Sequence, residues 1–322
     1  MRLRLVPQET KWDFFSRPTL WLGISGALMV AALVSFFIQG LNFGIDFKGG
    51  TTIRTESAQE VVIADYRAAL EPLDLGDISI TEVFDPTFEE DQHVTMIRIQ
   101  AQDGEEAVTA DLIRTVEAQL QTVAPDITFV SVESVGPKVS GELITTAVIA
   151  VLLAIGAVLV YIWLRFEWQF ALGAVMALVH DVVLTIGVFS ELQIKFDLAI
   201  IAALLTIVGY SLNDTVVVFD RVRENLRKYK KMDLKEVLNL SINETLSRTV
   251  MTSATTLLAL ISLFVLGGDV IRGFVFAMIW GVIVGTYSSV FIASAALLKL
   301  GVKRDWSKQA NTAGNKFADI DA

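Results

Sequence analysis

"GYSLNDTVVVFDRVREN", residues 209–225, sets Asn213 and Asp214 side by side inside an apolar run, and the chain turns densely charged only from Asp220. A carboxylate near the middle of a membrane-spanning helix costs about 2.5–3.5 kcal/mol on insertion scales, and such residues usually face a bundle interior or an aqueous path. The run around it, 198–219, has the roughly 20 apolar residues that a spanning helix needs. Five more runs of this kind lie at 19–38, 143–164, 168–190, 249–267 and 273–298. With 53% hydrophobic residues and a mean hydropathy of +0.56, the 322-residue chain lies well above an ordinary soluble domain. It reads as a polytopic α-helical membrane protein with six transmembrane helices. The first run is too long for a signal h-region and no small-residue cleavage site follows it, so it is expected to stay as a span.

Charge gives the orientation. Residues 39–142 hold 6 Lys/Arg against 20 Asp/Glu, a net of −14, while the whole chain carries −10. Such an acidic segment disfavours a nucleic-acid partner. If the N-terminus is cytoplasmic, the inside segments are 1–18, 165–167, the basic loop 220–248 and the tail 299–322, which together hold 18 of the 26 Lys/Arg. The opposite orientation breaks the positive-inside rule. Trp163 and Trp168 bracket the turn "RFE" as interface-anchoring aromatics do. Both termini are therefore expected inside, with 39–142 as one large external domain. Cysteine is absent, which excludes disulfides and thiolate metal sites.

The external segment has a legible pattern. Strands are predicted at 51–57, 78–84, 93–100 and 127–135, and helices at 58–71 and 105–121, with Val62, Tyr66, Ala69 and Leu70 near one face of the first. The acidic turn "DPTFEEDQ" separates the middle strands. The order β-α-β-β-α-β is that of a ferredoxin-like, α+β unit. In loop 220–248, Asp233 and Glu236 resemble a helix cap, and Leu234, Val237 and Leu238 make an apolar face. One reading is a short amphipathic helix at the headgroup level, the other a docking surface or a mechanical link between spans four and five.

Several chemistries are excluded. There is no P-loop, no H-E-x-x-H and no G-x-S-x-G, and only His93 and His180 could serve a histidine-based metal site, so no metal is expected. Polar groups inside the spans remain. Asp214 lies about five residues, or roughly 7–8 Å, from the cytoplasmic end of span four. It is either a paired or functional buried acid, or an interface residue of a shorter span. Arg248 opens span five, with Thr252, Thr255 and Thr256 on its helical face. It is either a snorkelling anchor or a guanidinium that reaches Asp214. Pairing lowers a carboxyl pKa and unpaired desolvation raises it, so a helix movement that separates the two could load a proton on Asp214 and re-pairing could release it. His180 and Asp181 lie deeper, in span three, where Gly173, Ala177 and Asp181 share one face. They form either a buried contact between helices or a functional site. Gly281, Gly285 and Ser289 give span six a packing face. Before the domain, "GIDFKGGT" (44–51) offers Asp46, Lys48, Gly49 and Gly50 as a joint between span one and the first strand, the glycines allowing backbone conformations that other residues avoid.

"GIDFKGGT" after the first span, "SVGPKVSGEL" (134–143) before the second, "GYSLNDTVVVFDRVREN" in the fourth and "NETLSRTVMTS" (243–253) at the fifth together resemble the SecF family, over roughly residues 10–305. SecF is the smaller partner of SecD in bacterial protein export. The resemblance implies membership of the RND-type transporter superfamily, a place in the bacterial inner membrane with the large domain periplasmic, and work with SecD, YajC, the SecYEG channel and an emerging polypeptide. It implies no cofactor and no enzyme activity, the energy coming from the proton motive force. Asp214 of "SLND" and Arg248 of "TLSRT" match the family's proton-path residues, a further acid being supplied by SecD. Asp181 matches a family position of less certain role, and the tail after Lys308, which matches no pattern, is expected to be disordered.

Two other functions fit parts of the sequence. An intramembrane aspartyl protease would use Asp181 and Asp214 as carboxylates sharing a proton, but the span limits put them about eight residues, or roughly 12 Å, apart in depth. One half of a small-molecule RND-type exporter would need a second six-span partner.

Overall fold

The computed structural model describes residues 10–76, 78–83, 85, 88–89, 91–100 and 109–302. Parts of the 85–92 turn, the first residues of the helix predicted at 105–121 and the tail after Val302 lie outside these.

Among the described residues, six helices are long and apolar enough to cross a membrane. In chain order the elements are α1 (Pro18–Gln39), the short α2 (Ile45–Lys48), β1 (Gly50–Ser57), α3 (Ile63–Leu70), β2 (Ile78–Val83), β3 (His93–Gln100), α4 (Ala110–Gln121), β4 (Thr128–Val135), α5 (Pro137–Arg165), α6 (Trp168–Glu191), α7 (Leu198–Lys228), α8 (Leu234–Leu266), α9 (Gly268–Ser288) and α10 (Ser294–Leu300). A π-helical segment, Ser289–Ala293, joins the last two, so the sixth span is one interrupted helix.

Between α1 and α5 the strands form an antiparallel sheet of order β2-β3-β1-β4 in the β-α-β-β-α-β succession. Strand alternation explains its two faces. Ile53, Ile97 and Ile99 point to the side covered by α3 and α4, where they meet Tyr66, Leu70, Val116 and Leu120. Val62 is exposed and lies just before α3, because that helix begins only at Ile63. The other sheet face carries Thr52, Arg54, Arg98 and Glu133 and looks across a cavity of about 600 Å³ at the α6–α7 and α8–α9 connections.

In the membrane part, α6, α7 and α9 form the interior, whereas α1, α5 and α8 present mostly outward surface. Glycines set the close approaches. A Cβ at Gly187 of α6 would overlap Ala32 and come within 2.7 Å of its Cα. Because backbone cannot move aside as a side chain can, Gly187→Val is expected to loosen α1 from α6 at a cost of about 1–3 kcal/mol. An unchanged unfolding temperature in detergent would contradict this. A Cβ at Gly281 would overlap Ile207, and one at Gly285 would stand 3.0 Å from Ser211 Cβ, so the small face of α9 packs directly on α7.

The basic segment 220–248 is helical in its second half, as its cap predicts, and in most of its first half as well. α7 runs on to Lys228 and α8 begins at Leu234, leaving a five-residue turn. Val237, Leu238 and Ile242 are fully buried against Phe15, Val222 and Leu226, so this face packs on protein and does not lie at the headgroup level. Asn225 donates to Ser241 Oγ (3.0 Å) and Glu244 Oε2 (2.6 Å), and Arg221 to Glu244 Oε2 (2.7 Å), bracing the α7–α8 hairpin. The segment before α1 is stitched to the same helix. Trp12 N donates to Asn243 Oδ1, Asn243 Nδ2 to Trp12 O, and Phe14 N to Asn239 Oδ1, all at 2.8–2.9 Å.

Candidate functional site: a buried carboxylate beside a polar node

α7 supplies the central residues. Its period places Ser211 and Asp214, three residues apart, on one buried face, and turns Asn213 outward, where it is exposed. Asp214 is 4% exposed, and its Oδ2 is buried without a hydrogen-bond partner. Such a group is costly when ionised, because burial in a low-dielectric region penalises charge that no partner offsets. Arg248 lies near enough to act on Asp214 electrostatically, yet no ion pair joins the two among the described residues, and Arg248 is exposed on the surface of the bundle. Next to Arg248, Thr249 is buried with its hydroxyl unpartnered, and Ser253 bonds Thr286 of α9 at 2.7 Å. Thr252 and Thr255 return their hydroxyls to backbone carbonyls of their own helix, so the expected polar stripe is mostly satisfied locally.

One turn from Asp214 lies a second polar centre. Asp181 Oδ2 accepts hydrogen bonds from Ser211 Oγ (2.6 Å) and Ser288 Oγ (2.8 Å), and Oδ1 stands 3.0 Å from His180 Nδ1. Asp181 and His180 are each 1% exposed, and Ser211 and Ser288 are equally buried. The node joins α6, α7 and α9. His180 Nε2 is buried and has no hydrogen-bond partner among the described residues. Through its bond to Ser211, Asp181 meets α7 three residues before Asp214, a rise of roughly 4.5 Å along the helix axis. The carboxylates still share no hydrogen bond, since Asp181 is committed to His180, Ser211 and Ser288. The arrangement is not that of a proton-sharing catalytic dyad.

Sequence reasoning missed Ser211 and Ser288. Ser211 could have been found, because it precedes Asp214 by three residues on the same face. Ser288 follows Tyr287 beside the packing glycines, and nothing in the sequence distinguishes it from other span serines.

The joint before β1 has its own geometry. Gly49 and Gly50 adopt φ of 74° and 122°, a region open mainly to glycine, which lets α2 turn into the strand. Asp46 Oδ2 accepts from Leu198 N at 3.0 Å, so its carboxylate sits on the first residue of α7. Gly44 N donates to Phe196 O and Phe196 N to Asn42 O, tying the joint to the α6–α7 connection. Phe47 packs there with Phe196, and Lys48 is exposed.

With this geometry in hand, comparison with known proteins is decisive. The family described as "Protein export membrane protein SecD/SecF, C-terminal" matches residues 115–303, and the SecD/SecF GG motif matches 34–61. The chain belongs to the SecD/SecF family of protein-export membrane proteins. It is similar to the protein translocase subunit SecF of Cereibacter sphaeroides (64% identity, 100% of this chain and 99% of that one). It is also similar to SecF of Rhodobacter capsulatus (60% identity, 96% and 94%). Among solved structures, SecDF from Thermus thermophilus, described as a translocon-associated membrane protein, superposes with a TM-score of 0.81 at 34% identity over 93% of this chain. This chain spans 40% of that SecDF chain. SecDF in a "Super-membrane-facing form" gives a TM-score of 0.68 at 35% identity, over 97% of this chain and 41% of that one. The chain is thus a SecF-type, multi-pass membrane subunit of the protein-translocation machinery, associated with SecD.

Proposed function

We propose that this chain is the proton-responsive half of a SecDF-type complex in the bacterial inner membrane, its termini cytoplasmic and its large domain periplasmic. It works with a SecD chain, YajC, the SecYEG channel and the emerging polypeptide, and draws on the proton motive force without another cofactor. The observation that carries this reading is Asp214, a carboxylate buried in α7 with one oxygen unpartnered and a cation nearby but not in contact. Such a group changes its preferred protonation when a helix shift brings the guanidinium in or takes it away. The Asp46 bond supports a route outward, because α7, which carries Asp214, is held at its other end to the joint that leads into β1. The likeness to SecDF described as translocon-associated supports the channel partner.

The energetics fit a switch. One charge crossing 100 mV is worth about 2.3 kcal/mol, and one pH unit adds about 1.4 kcal/mol. This biases a two-state movement but does not drag a whole protein, so repeated cycles are implied. In membrane vesicles carrying the SecD/SecF-type complex, export of a reporter protein should rise with an imposed potential, and export indifferent to it would sink the reading. Asp46→Ala should cost about 1 kcal/mol of stability through the lost cap on α7 and should lower export while proton uptake persists. Asp46→Asn, which keeps an acceptor oxygen, should restore most export. Equal loss of uptake and export in Asp46→Ala would argue against a coupling joint.

A further inference from the structure

At the end of the bundle opposite the extramembrane domain, a cavity of about 670 Å³ opens between the α5–α6 turn and the extension of α7. Its lining is Arg165, Arg223, Arg227 and Lys228 against Asp220 and Glu224, a predominantly cationic wall. Arg165 reaches Asp220 at 3.4 Å, and Arg223 Nη1 donates to Arg165 O at 3.4 Å. Both guanidiniums also lie over the buried Phe166 ring, at 5.0 and 5.8 Å from its centroid, which holds two like charges close together. Burial and the neighbouring Arg227 and Arg165 pull the Arg223 guanidinium below its ordinary value, partly offset by Asp220 and Glu167. Beside the cavity, Trp163, Leu164 and Trp168 are 58%, 79% and 53% exposed. Exposed tryptophans flanking a turn between spans mark the headgroup level, and basic pockets between helices at that level suit anionic headgroups.

We propose that this cavity binds the phosphodiester headgroup of an anionic phospholipid, with the acyl chains lying on the Trp163–Leu164 surface. Arginine suits the role because its planar fork pairs with phosphate oxygens in two places at once. The site is independent of Asp214 and of proton coupling.

The test is native mass spectrometry of the delipidated full chain in detergent, titrated separately with cardiolipin, phosphatidylglycerol, phosphatidylethanolamine and inorganic phosphate. Anionic lipid, cardiolipin or phosphatidylglycerol, should bind in one high-affinity step, while phosphatidylethanolamine binds weakly. Arg227→Gln/Lys228→Gln changes two exposed side chains and should weaken that step roughly tenfold or more, with an unchanged unfolding temperature showing that the fold is kept. Lys230→Gln/Lys231→Gln, on the adjoining turn and outside the cavity, should leave it unchanged. Equal weakening in both double variants would reduce the effect to general surface charge and overturn the proposal. Equal binding of phosphatidylethanolamine would overturn it too, as would displacement by millimolar inorganic phosphate, which would point to a free-phosphate site.

Discussion

Asp214→Asn is expected to abolish potential-driven export while leaving the subunit at its normal level in the membrane. The amide has nearly the size of the carboxyl, so the packing of α7 against α6 and α9 is preserved, and Asp214 Oδ2 makes no hydrogen bond that the change could break. Only the ability to take and give a proton is lost. If each cycle draws about 2.3 kcal/mol from 100 mV, the lost bias is about 50-fold in the ratio of two conformations. Export measured with and without an imposed potential should become indifferent to it. Arg248→Gln should act in the same direction, and Arg248→Lys should retain part of the response because a cation remains near Asp214. Full potential-dependent export by Asp214→Asn at normal abundance would remove this residue from the mechanism.

Asp181→Ala is expected to produce a large loss of stability. Removing the carboxylate leaves His180 Nδ1, Ser211 Oγ and Ser288 Oγ without their shared acceptor in a region of about 1% exposure. In soluble proteins an orphaned buried group costs about 1–3 kcal/mol. In membranes measured values average nearer 0.6 kcal/mol per bond, because the unfolded state also finds partners. Three groups together therefore give about 2–4 kcal/mol. Asp181→Asn keeps an acceptor oxygen for the two hydroxyls and should lose much less. Thermal unfolding in detergent separates the cases, since a latch predicts Ala well below Asn and Asn near the parent. Export by Asp181→Asn should stay near the parental level. Normal stability with lost export would instead make Asp181 a proton carrier and would refute the latch.

The readings that succeeded are those in which local chemistry and tertiary structure point the same way. Ile53, Ile97 and Ile99 alternate with polar residues, so strand period alone predicts which sheet face is covered. The glycines of "GIDFKGGT" announce a joint, and Gly49 and Gly50 do adopt positive φ. The helix that starts after Asp233 is legible from its cap and its apolar face, but Val237, Leu238 and Ile242 turn that face on Phe15 and α7 instead of on headgroups. A basic amphipathic pattern is the same whether the apolar face meets lipid or protein, so the sequence cannot choose between them.

The sequence by itself determined the six spans, the sheet-bearing domain and the presence of acids within the membrane. In lipid every backbone group must be satisfied within its own helix, so a span is a local property that adds up along the chain. Only the tertiary structure decided that Asp181 meets Ser211 and Ser288, that Asp214 keeps an unpartnered oxygen, and that Asp46 sits on the start of α7. Those contacts depend on how closely helices approach, set by Gly281 and Gly285 against Ile207 and Ser211 on a helix some seventy residues earlier in the chain. That interdigitation is a pairwise, long-range property, which no reading of one segment at a time contains.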